Sequence, residues 1–388
     1  MVVTGGGSGG HITPILAVAK ELKILQPDVR VVYIGHTGDG FDDVVAEDKS
    51  IDAMYSVRAG KFRRYHGASA IEKLFDVRTM ALNVRDGFQI LIGLWQSYRL
   101  LKKLRPGVIF TRGSYVSVPV CLAGSWLKIP YVTHDSDAIP SLTNRILARK
   151  ATLHAVALPE EMYPYDIDRT KTVGVPISHE YVPVTEALHR QYKKELKLDG
   201  YEWVILVTGG GLGAQRLNTA VIENAHALLA RYPGLAIVHL AGRANEDEVK
   251  AAYAAILLPE ERRRVIVKGF VTDMYRYSGA ASIVIARGGA TNLAELAVQG
   301  KICIIVPNPQ LTGGHQLKNT AALRDRGAII EMTEDQIAQE LRLASQVAAL
   351  IDDPAKADQL ALNLAAYARP DAAKRLAVIL LELYTERQ

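Results

Sequence analysis

Two stretches of this chain follow one plan: an apolar strand, a glycine-rich loop, then a helix. VTGGGSGGH (Val3–His11) opens the first half and VTGGGLGAQ (Val207–Gln215) opens the second. A glycine loop at the end of a buried strand lets backbone N–H groups approach an anion, and the helix that follows adds its positive N-terminal field. Short apolar runs and helical stretches alternate around each loop. In the first half the strand-like runs are Val2–Thr4, Val31–Gly35, Val108–Thr111 and Tyr131–His134, with helices such as Ile15–Leu25 and Ser117–Leu127 between them. The second half restarts at Trp203–Thr208 and continues through Ala236–Ala241, Val265–Val267, Ser282–Ala286, Ile302–Val306 and Ala328–Met332. Such alternation predicts an α/β chain with parallel sheets covered by helices on both faces.

A chain of 388 residues suits two such doubly wound, Rossmann-like domains better than one core. The break is expected near GVPISHEYVPV (Gly174–Val184), where two prolines interrupt the pattern. This gives a first domain over 1–178 and a second over 179–369. The final helix, Ala372–Thr385, follows Pro370 and is expected, within 370–388, to pack back on the first domain. Val2–Thr4 is short for a buried strand. Either the strand is truncated or the natural chain extends further upstream.

The loops narrow the chemistry. Gly5-Gly6-Gly7-Ser8-Gly9-Gly10 satisfies the dinucleotide fingerprint, but a run with five glycines satisfies many patterns. That fingerprint also needs an acid about 20 residues on, at a strand tip. Asp39 is the nearest candidate, and it lies in a second glycine loop instead. Neither loop closes with the Gly-Lys-Ser/Thr of a nucleotide-hydrolysing P-loop. His11 starts the helix after the first loop, where an imidazole titrating near neutrality suits general-base work.

Composition sets further limits. Apolar residues make up 49% of the chain and charged residues 22%, as in a folded protein. Cys121 and Cys303 lie far apart in apolar runs and read as reduced core residues of a cytosolic protein. No basic-then-apolar leader is present, and no apolar run reaches the ~18 residues of a membrane span. Net charge is +5, yet Arg58–Arg105 alone holds eleven Lys/Arg against three acids. Such a patch implies an anionic partner. Within it, FQILIGLWQSYRLLKKLRP (Phe88–Pro106) sets Trp95 and aliphatic residues beside Arg99, Lys102 and Lys103, as in a helix that lies on an anionic membrane surface. No nucleic-acid module surrounds the patch, so nucleic acid is not expected as a partner.

GGSGGHITPILAVA (Gly6–Ala19) resembles the N-terminal loop GGTGGHxxPxLA of the MurG-like N-acetylglucosaminyltransferases. Four more stretches resemble that family in order: GSYVSVPVCLAGSWLKIPYVTHDSD (Gly113–Asp137), SLTNRILAR (Ser141–Arg149), GGGLGAQRLN (Gly209–Asn218) and ARGGATNLAELAVQGKICIIVPNPQLTGGHQLKNT (Ala286–Thr320). The resemblance implies a GT-B architecture, two Rossmann-like domains facing across a cleft. It implies inverting transfer of N-acetylglucosamine from UDP-GlcNAc to a polyprenyl-pyrophosphoryl-MurNAc-pentapeptide, with no cofactor and no metal in the chemistry. The enzyme would sit peripherally on the cytoplasmic face of the cell membrane. His11 becomes the base candidate as a neutral imidazole near the attacking hydroxyl, or alternatively an imidazolium beside the leaving diphosphate, with Asp137 as a second base candidate. Donor binding is implied for Ser8, Gly10, Gly211, Leu212, Gly213, Phe270, Val271, Gly289, Ala290, Thr291, Glu295, His315 and Gln316. Glu295 would accept the ribose hydroxyls, Phe270 and Val271 would lie near the uracil, and His315 and Gln316 would read the sugar.

Several positions depart from the family pattern. Asp137 stands where the family has Asn, Gly211-Leu212 where it has Ser-Gln, His315 where it has Gln, and Ser178 where it has Arg. Arg112 occupies a glycine position and could replace that lost charge. PNPQLTGGHQ also resembles the motif of the eukaryotic dolichol-pyrophosphate N-acetylglucosaminyltransferase subunit. These departures leave open another lipid or natural-product acceptor, or a membrane-docked subunit that binds nucleotide sugar without turning it over. A UDP-GlcNAc 2-epimerase shares the architecture, but its carboxylate-rich site has no match here.

Overall fold

The computed structural model describes residues 1–7, 9–60, 77–311 and 314–386, with backbone only for 77–84. Ser8 of the first loop lies outside the described residues, as do Lys61, Arg63, Arg64 and Lys73 of the basic segment. The chain divides into two compact units, Met1–Ser178 with Asp371–Gln388, and His179–Pro370.

The first unit holds a seven-stranded parallel sheet. Its strands are β1 (Val2–Thr4), β2 (Val32–His36), β3 (Ala53–Val57), β4 (Ile109–Thr111), β5 (Tyr131–Asp135), β6 (Leu153–Val156) and β7 (Thr170–Thr172), in the order β3-β2-β1-β4-β5-β6-β7. β1 is indeed only three residues long. Its neighbour β4 is equally short, and the register pairs Val2 with both Val32 and Ile109, so all three residues are buried at the sheet centre. The helix after it runs Gly9–Leu25, six residues earlier than the periodicity predicts. Glycine is a poor helix former, so the start is set by the strand-loop-helix geometry rather than by local preference. The C-terminal helix Ala372–Thr385 belongs to this unit, and the Tyr384 ring covers Gly107.

The second unit holds a six-stranded parallel sheet: β8 (Trp203–Thr208), β9 (Leu235–Leu240), β10 (Val265–Lys268), β11 (Ile283–Ala286), β12 (Ile302–Ile305) and β13 (Ile330–Glu331), in the order β10-β9-β8-β11-β12-β13. Alternation along β8 and β11 sorts its core into two layers. Ile205, Val207, Ile283 and Ile285 join one cluster, and Val204, Leu206, Val284 and Ala286 the other. Both faces are apolar, which is why these strands read as unbroken hydrophobic runs.

In each sheet the strand order reverses beside the first strand, where open α/β sheets form their binding crevices at the carboxyl ends. The two glycine loops follow β1 and β8, at those points.

Candidate functional site

In the first unit the glycine loop has an internal partner. Asp39, in the loop after β2, accepts the Gly7 N–H through Oδ2 at 2.6 Å and the Phe41 N–H through Oδ1 at 3.2 Å. Gly7 has φ +85°, and a Cβ there would press into the Tyr115 ring. A carboxylate therefore occupies an N–H that a bound phosphate would otherwise take. Asp39 holds the loop rather than serving as the ribose acid of a dinucleotide fold.

Gly10 and His11 lie in the first turn of the following helix. Nη1 of Arg112, at the end of β4, lies 3.3 Å from His11 Nδ1, and Nη2 lies 3.7 Å from Asp137 Oδ2. Arg112 is buried, and its Nε meets no acceptor among the described residues. Arginine only donates, so this contact makes Nδ1 of His11 the acceptor. A neutral His11 then carries its proton on Nε2. In that tautomer Nε2 is a donor.

The segment His134-Asp135-Ser136-Asp137 splits by role. His134 is fully buried, donates from Nε2 to the Gly174 carbonyl at 2.9 Å, and has its pKa lowered to about 3, chiefly by burial. Asp135 accepts from the Ser141 N–H at 3.0 Å and the Tyr165 hydroxyl at 2.6 Å, and burial raises its pKa. Ser141 caps the helix Leu142–Leu147. Of the four, Asp137 forms an ion pair with Arg112.

In the second unit the loop Gly209–Gly213 ends at the helix Gln215–Arg231. Gly213 has φ +77°, and a Cβ would collide with the Ala241 carbonyl, so the loops after β8 and β9 touch backbone to backbone. No described residue accepts the N–H of Gly211 or Leu212, and Leu212 is 70% exposed. Gly289 precedes the helix Ala290–Gln299, so the N–H groups of Ala290 and Thr291 lie in its first turn.

Glu295, on that helix, is half-buried and paired with the Tyr181 hydroxyl. Desolvation pushes its pKa up to about 8, and the Tyr181 donor opposes the rise. Gln316 is buried, and its Oε1 accepts the Asn308 N–H at 2.9 Å, which leaves the Nε2 side for other contacts. His315 begins the helix His315–Asp325. The Arg243 guanidinium lies 4.4 Å over the Phe270 ring, and half-buried Val271 packs against the core.

Along the helix Val77–Leu104, Gly93, Ser97 and Leu101 face inward. Phe88, Leu91, Ile92 and Trp95 lie exposed on the opposite stripe, which continues through exposed Arg99, Lys102 and Lys103. Arg99 covers the Trp95 ring at 4.8 Å. No helix among the described residues is long and apolar enough to cross a membrane.

Sequence reasoning missed the anchoring roles of Arg112, Asp39, Tyr181 and Arg243. It read Arg112 as a departure at a glycine position that could replace a lost donor-side charge, not as the partner of His11 and Asp137. Tyr181 sits in the linker segment, where no periodic pattern marks a partner.

The glycosyltransferase family 28 N-terminal domain matches residues 1–156 and its C-terminal domain matches residues 204–376. A curated relative from Geotalea daltonii, a UDP-N-acetylglucosamine–N-acetylmuramyl-(pentapeptide) pyrophosphoryl-undecaprenol N-acetylglucosamine transferase, is 32% identical over 96% of this chain and 95% of its own. The transferase of the same name from Natranaerobius thermophilus is 31% identical over 91% of both chains. Among solved structures, MurG of Acinetobacter baumannii superposes with TM-score 0.67 at 23% identity, covering 98% of this chain and 99% of that one. A putative UDP-N-acetylglucosamine 2-epimerase from Listeria monocytogenes gives TM-score 0.67 at 12% identity, covering 100% and 96%. The fold alone is thus common to transferases and epimerases, and the sequence separates them. The chain belongs to glycosyltransferase family 28 and, within it, to the MurG family of N-acetylglucosaminyltransferases.

Proposed function

We propose that this enzyme transfers N-acetylglucosamine from UDP-N-acetylglucosamine to a polyprenyl-pyrophosphoryl N-acetylmuramyl-pentapeptide, with inversion and without a metal or other cofactor. The observation that carries the reading is the 32% identity over 96% of the chain with a transferase of that name. The donor is assigned to the second unit and the acceptor to the first.

In this reading the acceptor hydroxyl attacks C1 of the sugar. Its proton passes to a carboxylate oxygen of Asp137, and the C1–O bond to the β-phosphate breaks with its electron pair on UDP. Asp137, ionised, is an acceptor. His11, with Nδ1 held by Arg112, donates from Nε2 to an oxygen that gains charge. UDP departs with added negative charge, met by the N–H groups of Gly211 and Leu212 in the loop and of Gly289, Ala290 and Thr291 at the helix start, while Gly213, whose N–H goes to the Gly210 carbonyl at 2.9 Å, shapes the loop. Glu295 accepts from the ribose hydroxyls, Phe270 and Val271 border the uracil, and His315 and the Gln316 amide read the sugar.

The enzyme docks peripherally on the cytoplasmic face of the membrane. Phe88, Leu91, Ile92 and Trp95 enter the interface, while Arg99, Lys102 and Lys103 meet anionic headgroups.

Incubation with labelled UDP-N-acetylglucosamine and a short-chain lipid acceptor tests the reading. A lipid-linked disaccharide should form, should survive EDTA, and should vanish with Asp137→Ala. Intact UDP binding without transfer to that acceptor would instead favour another acceptor or a non-catalytic subunit.

A further inference from the structure

Resting on the assignment of the second unit to the UDP-sugar, we infer that Glu334 is a positioning residue that fixes both diphosphate-facing helix starts at once. Glu334 begins the short helix Glu334–Ile337, and its side chain is only 5% exposed. Its Oε1 takes the Arg287 Nη2 at 2.7 Å and its Oε2 takes the Arg216 Nη1 at 2.7 Å. Both carboxylate oxygens are thus used by guanidinium groups on different elements.

Those elements are the ones that matter for the donor. Arg216 is in the first turn of the helix that follows Gly209–Gly213. Arg287 directly precedes Gly288, Gly289 and the helix Ala290–Gln299. Arg287 is buried, donates from Nη1 to the Val306 carbonyl at 3.1 Å, and its backbone N–H reaches the Thr208 carbonyl at 3.3 Å. The end of β11 is therefore held to the ends of β8 and β12. Glu334 is itself fixed, because Thr333 and Gln336 form a reciprocal capping box around it.

The charges have a direction as well. Two guanidinium groups on one carboxylate leave a net charge of one positive unit beneath the two loops. The Arg216 side chain is 61% exposed, so that charge is nearest solvent on the glycine-loop side. A carboxylate in this place does not touch the nucleotide. It sets the separation and aim of the N–H groups that do, and preorganised donors lower a barrier only when their positions are already set.

The test compares Glu334→Gln and Arg216→Met with the wild type, below the unfolding temperature of each. Calorimetry reads UDP and uridine binding, and the transfer assay separates kcat from the two KM values. Glu334→Gln should weaken UDP binding and lower kcat, each about tenfold or more, with the acceptor KM unchanged. Arg216→Met, an exposed change, should leave Tm unmoved and weaken UDP binding about three- to tenfold while sparing uridine. The double variant should be no worse than Glu334→Gln by the full Arg216→Met effect, since the two act as one unit. UDP affinity and kcat within twofold of wild type in folded Glu334→Gln would overturn the assignment, as would equal losses for uridine and UDP. A wild type that transfers nothing from UDP-N-acetylglucosamine would instead sink the functional reading, while the UDP-to-uridine difference would still report on Glu334.

Discussion

The two glycine loops begin from nearly the same sequence and end with different electrostatics. After β1, a carboxylate from the neighbouring loop accepts the Gly7 N–H at 2.6 Å. After β8, the carboxylate of Glu246 instead accepts the Gly269 N–H, one loop further on, at 2.6 Å, and the N–H groups of Gly211 and Leu212 meet no described acceptor. The first loop is closed by the protein's own anion, and the second stays open to an external one. A glycine-rich strand-loop-helix is therefore a scaffold for anion binding, and the side chain on the next loop decides whether the scaffold is used.

The largest expected effect falls on the first unit. Asp137→Asn removes the proposed proton acceptor and should lower transfer about 10²- to 10⁴-fold, with UDP binding unchanged. His11→Ala should cost less, nearer the lower end of that range, because His11 is held as a donor. A loss of UDP affinity in either variant would place the nucleotide on the first loop and break the comparison. Arg112→Lys should shift the pH profile of kcat toward that of a histidine base, since the lysine point charge no longer spans His11 and Asp137.

The next effect belongs to the open half. The pKa of Glu295 is raised by burial to about 8, from about 4.5 in the unfolded chain. The native state holds a proton that the unfolded state has lost, so this group's contribution to stability is complete below about 4.5 and is lost as pH rises through about 8. UDP binding should run the opposite way, because the ionised carboxylate is the better acceptor for two ribose hydroxyls. Calorimetric affinity for UDP should therefore strengthen between pH 7 and pH 9, and Glu295→Gln should flatten that dependence while weakening binding about tenfold. Affinity independent of pH in the wild type would remove Glu295 from the ribose.

These contrasts also show what was legible in the sequence. The strand order of each sheet came only from the structure, whereas both loops, their strands and the parallel, doubly wound character of each sheet follow from apolar runs and glycine spacing. The strands β3, β6 and β7 do not, because β3 and β7 are sheet edges with little apolar pattern and LHAV is too short to stand out. The helix start at Gly9 was hidden by glycines that disfavour helix locally. At the site, residue type and position pointed to His11, and the family resemblance pointed to Asp137 and Glu295. Their partners Arg112 and Tyr181, like the bond from the Gly7 N–H to Asp39, were not legible, since each joins elements far apart in sequence. The pattern names which groups carry chemistry, whereas the tautomer of His11 and the raised pKa of Glu295 come only from the packing around them.

A smaller effect tests the closure of the first loop directly. Asp39→Ala leaves the Gly7 N–H without its charged partner and should lower stability by about 1–2 kcal/mol, read by denaturant unfolding. Asp39→Asn keeps an acceptor oxygen and should lose less. With UDP in excess, wild type should bind one equivalent. A second, weaker equivalent in Asp39→Ala would mean that the carboxylate alone keeps nucleotide out of the first loop. Continued single binding would mean that the loop geometry also excludes it.

The smallest single-residue effects are expected on the exposed stripe of the helix Val77–Leu104, since its cations act through solvent. Each basic residue near an anionic surface contributes about 1 kcal/mol, and salt screens it. Lys102→Glu should therefore weaken sedimentation with anionic vesicles by about tenfold or a little more, and high salt should shrink the difference from wild type. Trp95→Ala should act differently. Trp95 is 59% exposed and carries Arg99 over its ring, so its loss removes apolar area whose contribution does not fade with salt. A vesicle affinity that ignores Lys102→Glu at low salt would show that the basic end of the stripe faces water, and would leave only the Phe88–Trp95 end as the docking surface.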